Sequence, residues 1–165
     1  MQERRRRRME KKYISRDAAL QRMQRYCTYQ DRCHFEARRK LLDLGVYGDT
    51  LEEILSELVE ENFLNEERFA RSFARGKFEI KGWGRIRIAQ ELKARQISAY
   101  CLRKAMEEID ENRYAARLEQ WLEVKIEAGS GAEEGYQQKQ ALFQWALRKG
   151  YESALIQEIL DKLLK

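Results

Sequence analysis

The stretch Leu41-Leu42-Asp43-Leu44-Gly45-Val46-Tyr47-Gly48-Asp49-Thr50-Leu51-Glu52-Glu53-Ile54-Leu55-Ser56-Glu57-Leu58 decides the fold, because its apolar phrase recurs twice. Leu41, Gly45, Val46, Leu51, Ile54, Leu55 and Leu58 match Leu92, Gln96, Ile97, Leu102, Ala105, Met106 and Ile109 at identical offsets. They match again at Ala146, Gly150, Tyr151, Ile156, Ile159, Leu160 and Leu163. The copies lie 51 and 54 residues apart. A repeat of that period signals stacked supersecondary units, each too small to bury its own apolar face alone. Such an array offers a partner a repetitive surface more readily than it offers a substrate a deep pocket.

Outward from the phrase, the chain reads as helix throughout. There is no proline in 165 residues, and 37% are charged. Leu, Glu, Lys, Arg and Ala dominate, and all favour helix. Residues 1–14 (MQERRRRRMEKKYI) read as a disordered basic arm, with Arg4, Arg5, Arg6, Arg7 and Arg8 as an electrostatic contact of low specificity. Residues 15–61, 62–110 and 111–165 read as three three-helix repeats, with a flexible insertion at 128–135 (AGSGAEEG). The expected caps are Ser15 or Asp17, Asp49 or Thr50, Asn65 and Ser98, and repeat three is expected to open at Asn112. A first break is expected at Thr28–Asp31, and Gly45 is expected to end a helix in left-handed geometry. The expected fold is all-α: an elongated tandem array of about nine helices with helix-turn-helix-like units.

Charge separates the copies that hydrophobicity unites. The formal net charge is +5. Residues 43–67 hold nine acids and no Lys or Arg, whereas residues 68–104 hold eleven bases and two acids. The helix after the turn in repeat one carries Glu52, Glu53, Glu57, Glu60 and Glu61, which phosphate would repel. Reading a DNA major groove with these helices is therefore disfavoured, and the shared phrase is assigned to packing. The candidate contact surface is the start of repeat two. Arg68, Arg71 and Arg75 fall on one helix face, followed by Lys77, Lys81, Arg85 and Arg87, with Trp83 between two glycines. Only Glu79 interrupts the run, so neutralising i,i+4 pairs are scarce. Arg and Trp are also the types in which binding energy concentrates.

Other chemistries find little support. Cys27, Cys33 and His34 do not share a helix face and lack a fourth ligand, so no metal is expected. There is no phosphate loop and no nucleophile elbow, so the chain is read as a non-enzyme without a cofactor. Three unevenly spaced cysteines fit a reducing cytosol, and no apolar run approaches a membrane span. The chain is expected to be a cytoplasmic monomer.

The run Phe63-Leu-Asn-Glu-Glu-Arg-Phe-Ala-Arg-Ser-Phe, with Arg75, Lys81-Gly82, Arg85-Ile86, Glu91-Leu92 and Ile97, resembles the signature of the RecX family. The phrase Tyr26-Cys-Thr-Tyr-Gln-Asp-Arg-Cys-His, with Lys40-Leu41 and Gly45, is similar to one branch's first repeat. The resemblance spans roughly residues 15–165. It implies tandem three-helix repeats, binding in the groove of the RecA–DNA filament, and inhibition of RecA strand exchange, ATP hydrolysis and co-protease activity. By motif match, Arg68, Phe69, Arg75, Lys81, Gly82, Arg85 and Leu92 carry over, with Phe69 and Leu92 as structural positions. The Arg4–Arg8 arm and the 128–135 insertion are not family features. Two other readings remain: a direct nucleic-acid-binding module driven by the arm and repeat two, and a generic helical-repeat scaffold for an acidic partner.

Overall fold

In the computed structural model, residues 13–129 and 135–165 are described. The Arg4–Arg8 arm and most of the 128–135 insertion lie outside them. Among the described residues there are nine helices and no strand: α1 (Arg16–Tyr29), α2 (His34–Asp43), α3 (Gly48–Glu60), α4 (Glu66–Glu79), α5 (Arg85–Ala94), α6 (Ala99–Met106), α7 (Glu111–Ala128), α8 (Tyr136–Lys149) and α9 (Ser153–Leu163). The fold is an all-α array of three-helix repeats. None of these helices is long and apolar enough to cross a membrane.

The threefold phrase turns out to be a helix stop followed by an amphipathic helix. In each copy the N–H of the sixth residue donates to the carbonyl of the first: Val46 to Leu41, Ile97 to Leu92 and Tyr151 to Ala146. The fifth residue donates to the second: Gly45 to Leu42, Gln96 to Lys93 and Gly150 to Leu147. This is the Schellman pattern, which satisfies carbonyls that the helix end leaves open. It requires a left-handed residue at the fifth position, and the φ angles there are +83°, +58° and +97°. Glycine supplies two of the three. Gln96 adopts the same conformation with a side chain attached.

The chain divides into two compact units, Met1–Phe69 and Ala70–Lys165, with the boundary inside α4. In the first unit α1, α2 and α3 pack mutually around Ala19, Met23, Cys27, Ala37, Leu41, Leu51, Ile54 and Leu58. Each buried Leu or Ile there contributes roughly 1.5–3 kcal/mol of transfer free energy. The Ser15 side chain caps α1 by accepting from the Ala18 N–H. The first break falls later than expected. α1 continues to Tyr29, and Cys33 occupies the N-cap of α2. The helix α3 begins at Gly48 after Tyr47, ahead of the expected Asp49 or Thr50. Positive φ at Gly45 and again at Gly48 makes the turn tight enough to start the helix early.

In the second unit the caps are Ser98, which accepts from Cys101 N–H, and Asp110, which accepts from Arg113 N–H. α7 starts at Glu111, one residue before the Asn112 expected to open repeat three. The start of α5 meets the end of α8. The N–H groups of Gly84 and Ile86 donate to the carbonyls of Lys149 and Gly150 at 2.8 and 3.0 Å, and Arg85 N–H donates to the Tyr114 hydroxyl at 3.0 Å. Open donors of one helix thus satisfy open acceptors of another, with favourable dipole ends facing. Gly84 is required for this approach, because an added Cβ would overlap the Gly150 backbone. The buried Tyr151 hydroxyl donates to the Gly82 carbonyl, and Tyr114 donates to Glu152. Burial pushes the Tyr151 hydroxyl up to about 12, so it stays a donor at physiological pH.

Candidate functional site

The cationic run of residues 68–87 separates into two halves. Arg68 lies at the first turn of α4, where Asn65 caps the helix through the Arg68 N–H. Its guanidinium donates to Asp31 at 2.9 Å and to the carbonyls of Asn62 and Phe63. Arg71 donates to Glu108 at 2.7 Å, and Arg75 reaches the same carboxylate at 3.2 Å. The Arg71 hydrogen bond holds the Glu108 carboxyl below its ordinary range. Arg85 packs over the Tyr114 ring at 4.0 Å and forms an ion pair with Glu111 at 2.7 Å. Asp31 lies 37 residues from Arg68, Glu108 lies 37 from Arg71 and 33 from Arg75, and Glu111 is also far from Arg85 along the chain, all beyond the reach of an i,i+4 search. Arg68, Arg71 and Arg85 are thus engaged by carboxylates of the fold, whereas Arg75 remains 57% exposed at its side chain.

The other half has a different setting. Lys77 lies over the Trp83 ring at 4.8 Å and the Phe73 ring at 5.3 Å. Arg87 stacks on Trp83 at 4.0 Å and donates to the Arg148 carbonyl at 3.4 Å. Lys149 donates to the Lys81 carbonyl at 3.1 Å and sits 5.7 Å from the Trp145 ring, which Lys125 also faces at 4.9 Å. Lys77, Lys81, Arg87, Lys125 and Lys149 show no carboxylate partner among the described residues. Burial, and then the charges of Arg87, Lys125 and Lys81, hold the Lys149 ammonium below its ordinary value. These cations repel one another, and aromatic faces hold Lys77, Arg87, Lys125 and Lys149 in place.

The structure thus brings Lys77, Lys81, Trp83 and Arg87 together and pairs Arg68, Arg71, Arg75 and Arg85 with carboxylates. Lys125, Trp145 and Lys149 are additions from repeat three that sequence reasoning did not single out. Their signal was weak: Lys149 precedes the Gly150 helix stop, and that stop docks on the start of α5. Among the described residues no group of three His, Cys, Asp or Glu is placed to hold a metal. The three cysteines are buried and not joined in disulfides, and burial pushes the Cys27 thiol up to about 11, which makes it unreactive.

Residues 65–106 match the family model described as RecX, second three-helix domain. The chain is 31% identical over 136 residues to the regulatory protein RecX of Halorhodospira halophila, covering 82% of this chain and 80% of that one. The chain belongs to the RecX family. The regulatory protein RecX of Prosthecochloris aestuarii is 28% identical over 146 residues, covering 88% of this chain and 93% of the relative. The chain spans about half the length of some RecX relatives: 52% of that from Lactococcus lactis subsp. cremoris strain SK11, at 28% identity over 84% of this chain. The crystal structure of RecX from Lactobacillus salivarius superposes with a TM-score of 0.77 at 20% identity, covering 90% of this chain and 96% of that one. That likeness shows a shared all-α fold. The RecX domain match begins at Asn65, the cap of α4, and so includes both halves of the cationic run.

Proposed function

We propose that this protein is a cytoplasmic, non-catalytic regulator that binds the RecA–DNA filament and restrains its recombinase, ATPase and co-protease activities. The relatives bear the name regulatory protein RecX, and the sequence signature resembles that family's. The observation that carries the reading to a surface is the group of Lys77, Lys81 and Arg87, with Trp83 between them and no neutralising acid among the described residues. A filament of protein on DNA is a polyanion with a groove, and a preorganised cationic face is suited to it. The three cysteines, buried and not joined in disulfides, fit a reducing compartment. Arg75 is a second contact candidate, since its side chain stays largely exposed.

The test is DNA-dependent ATP hydrolysis by RecA at increasing concentrations of this protein. The intact protein is expected to inhibit. A Lys77→Glu, Lys81→Glu, Arg87→Glu variant is expected to need about tenfold more protein for half-inhibition, equivalent to about 1.4 kcal/mol. Unchanged inhibition by a folded variant removes these residues from the contact, and no inhibition by the intact protein removes the function.

A further inference from the structure

We propose that Lys77, Lys81, Arg87, Lys125 and Lys149 form a sequence-independent seat for the phosphodiester backbone of nucleic acid. The proposal deepens the reading of this face as partner-binding by naming what its cations meet. Three features of the geometry carry it. The five cations come from five places in the second unit: the end of α4, the loop before α5, α5 itself, α7 and the end of α8. They nevertheless form one connected group. Arg87 and Lys77 share the Trp83 ring, Lys125 and Lys149 share the Trp145 ring, and Lys149 reaches the backbone of Lys81. The hydrogen bonds recorded for Arg87 and Lys149 go to main-chain carbonyls, which fix position without cancelling charge. Holding cations together in that way is unfavourable until an anion arrives.

The density of charge selects the anion. Lys149 lies within the field of Arg87, Lys125 and Lys81 at once. A protein carboxylate on a partner relieves one such contact. One strand of DNA carries a charge about every 3.4 Å, enough to meet several of them together. Four of the five groups are lysines, which act as point charges and lack the planar fork that reads base edges. The Trp83 and Trp145 rings face the protein's own cations, so they serve as supports for those cations and are not free platforms for bases.

The experiment measures binding of the whole protein to fluorescent dT and dA oligonucleotides and to a DNA duplex, without RecA, across a salt series. Equal affinity for dT and dA is expected. The slope of log affinity against log salt should be several units for a single strand, at about 0.7 per phosphate neutralised. Lys125→Gln with Lys149→Gln should lower that slope by about 1.4, whereas Lys139→Gln with Lys162→Gln, the same change in net charge at lysines already paired with Asp161 and Glu119, should leave it alone. Circular dichroism of both double variants controls for folding. The duplex arm tells whether one strand suffices. The proposal is overturned if both double variants lower the slope alike, if dT and dA differ severalfold, or if a polyglutamate of equal length competes as well as DNA. RecA inhibition that depends on these residues while bare DNA is ignored would also overturn it and would leave the regulatory reading standing. DNA binding as expected with no effect on RecA would do the opposite.

Discussion

Gln96 shows what a single residue costs the repeat. It holds the left-handed position that Gly45 and Gly150 hold in the other copies, at φ +58°. An L side chain there is disfavoured by about 1–2 kcal/mol, partly offset because glycine loosens the unfolded chain. Gln96→Gly is expected to raise stability by up to about 1 kcal/mol in urea denaturation. Gly150→Ala is expected to do the reverse and lose about 1–3 kcal/mol, because the added Cβ meets the Arg87 backbone as well as a positive φ. Equal effects at the two positions would contradict the tertiary contact. Glu108 offers a pH test at the same scale. Its folded pKa is lowered, first by the Arg71 hydrogen bond, so its contribution is complete above the ordinary value of 4.5 and is lost as pH falls through the lower folded value. That contribution is roughly 1 kcal/mol for a partly exposed pair. Glu108→Gln should therefore lower Tm at pH 7, and the deficit should shrink below pH 4.5.

Among the elements, α6 depends most on its ends. It has eight residues, fewer than an isolated helix needs, and its buried side chains are Cys101 and Ala105. The Ser98 hydroxyl accepts from the Cys101 N–H at 3.2 Å and so satisfies one open donor. Ser98→Ala is expected to destabilise the protein by about 1 kcal/mol, read as a lower denaturation midpoint at unchanged slope. The start of α5 lacks a side-chain cap because carbonyls of α8 and the Tyr114 hydroxyl replace it. That substitution explains the spacing of Lys81-Gly82-Trp83-Gly84. Gly82 turns the chain at φ +66° beneath Trp121, whose Nε1 would lie 2.8 Å from an added Cβ, and Gly84 lets the α8 terminus in. The local sequence marked a break here. What the break is for depended on the end of α8, far along the chain at Lys149 and Gly150.

For the molecule as a whole, the second unit gives the clearest expectation. The contacts of Gly84, Ile86, Tyr114 and Tyr151 bind the start of α5 to α7, α8 and the turn before α9. Repeats two and three should accordingly open as one cooperative block in native-state hydrogen exchange, with α5 and α8 amides sharing an opening free energy. Gly84→Val should lower protection in both helices together. Loss confined to α5 would show that the repeats open separately. The fold was largely legible beforehand, since the apolar side chains of the three copies, from Leu41, Leu92 and Ala146 onward, are all buried or half-buried. The candidate surface was legible only in part. Trp83, Lys77, Lys81 and Arg87 were visible as a basic run with an aromatic, but nothing local distinguished them from Arg68 and Arg71.

The sequence by itself determined the all-α repeat. A helix stop and an apolar stripe are short-range patterns, and three copies made them unmistakable. Only the tertiary structure decided which cations are in excess. Ion pairing is a matter of distance in space: Asp31 and Glu108 reach Arg68 and Arg71 from 37 residues away, while the acids nearest in sequence to Lys149 leave it among Arg87, Lys125 and Lys81. Periodicity along the chain specifies what is buried, and the folded arrangement specifies which charges remain to meet a partner.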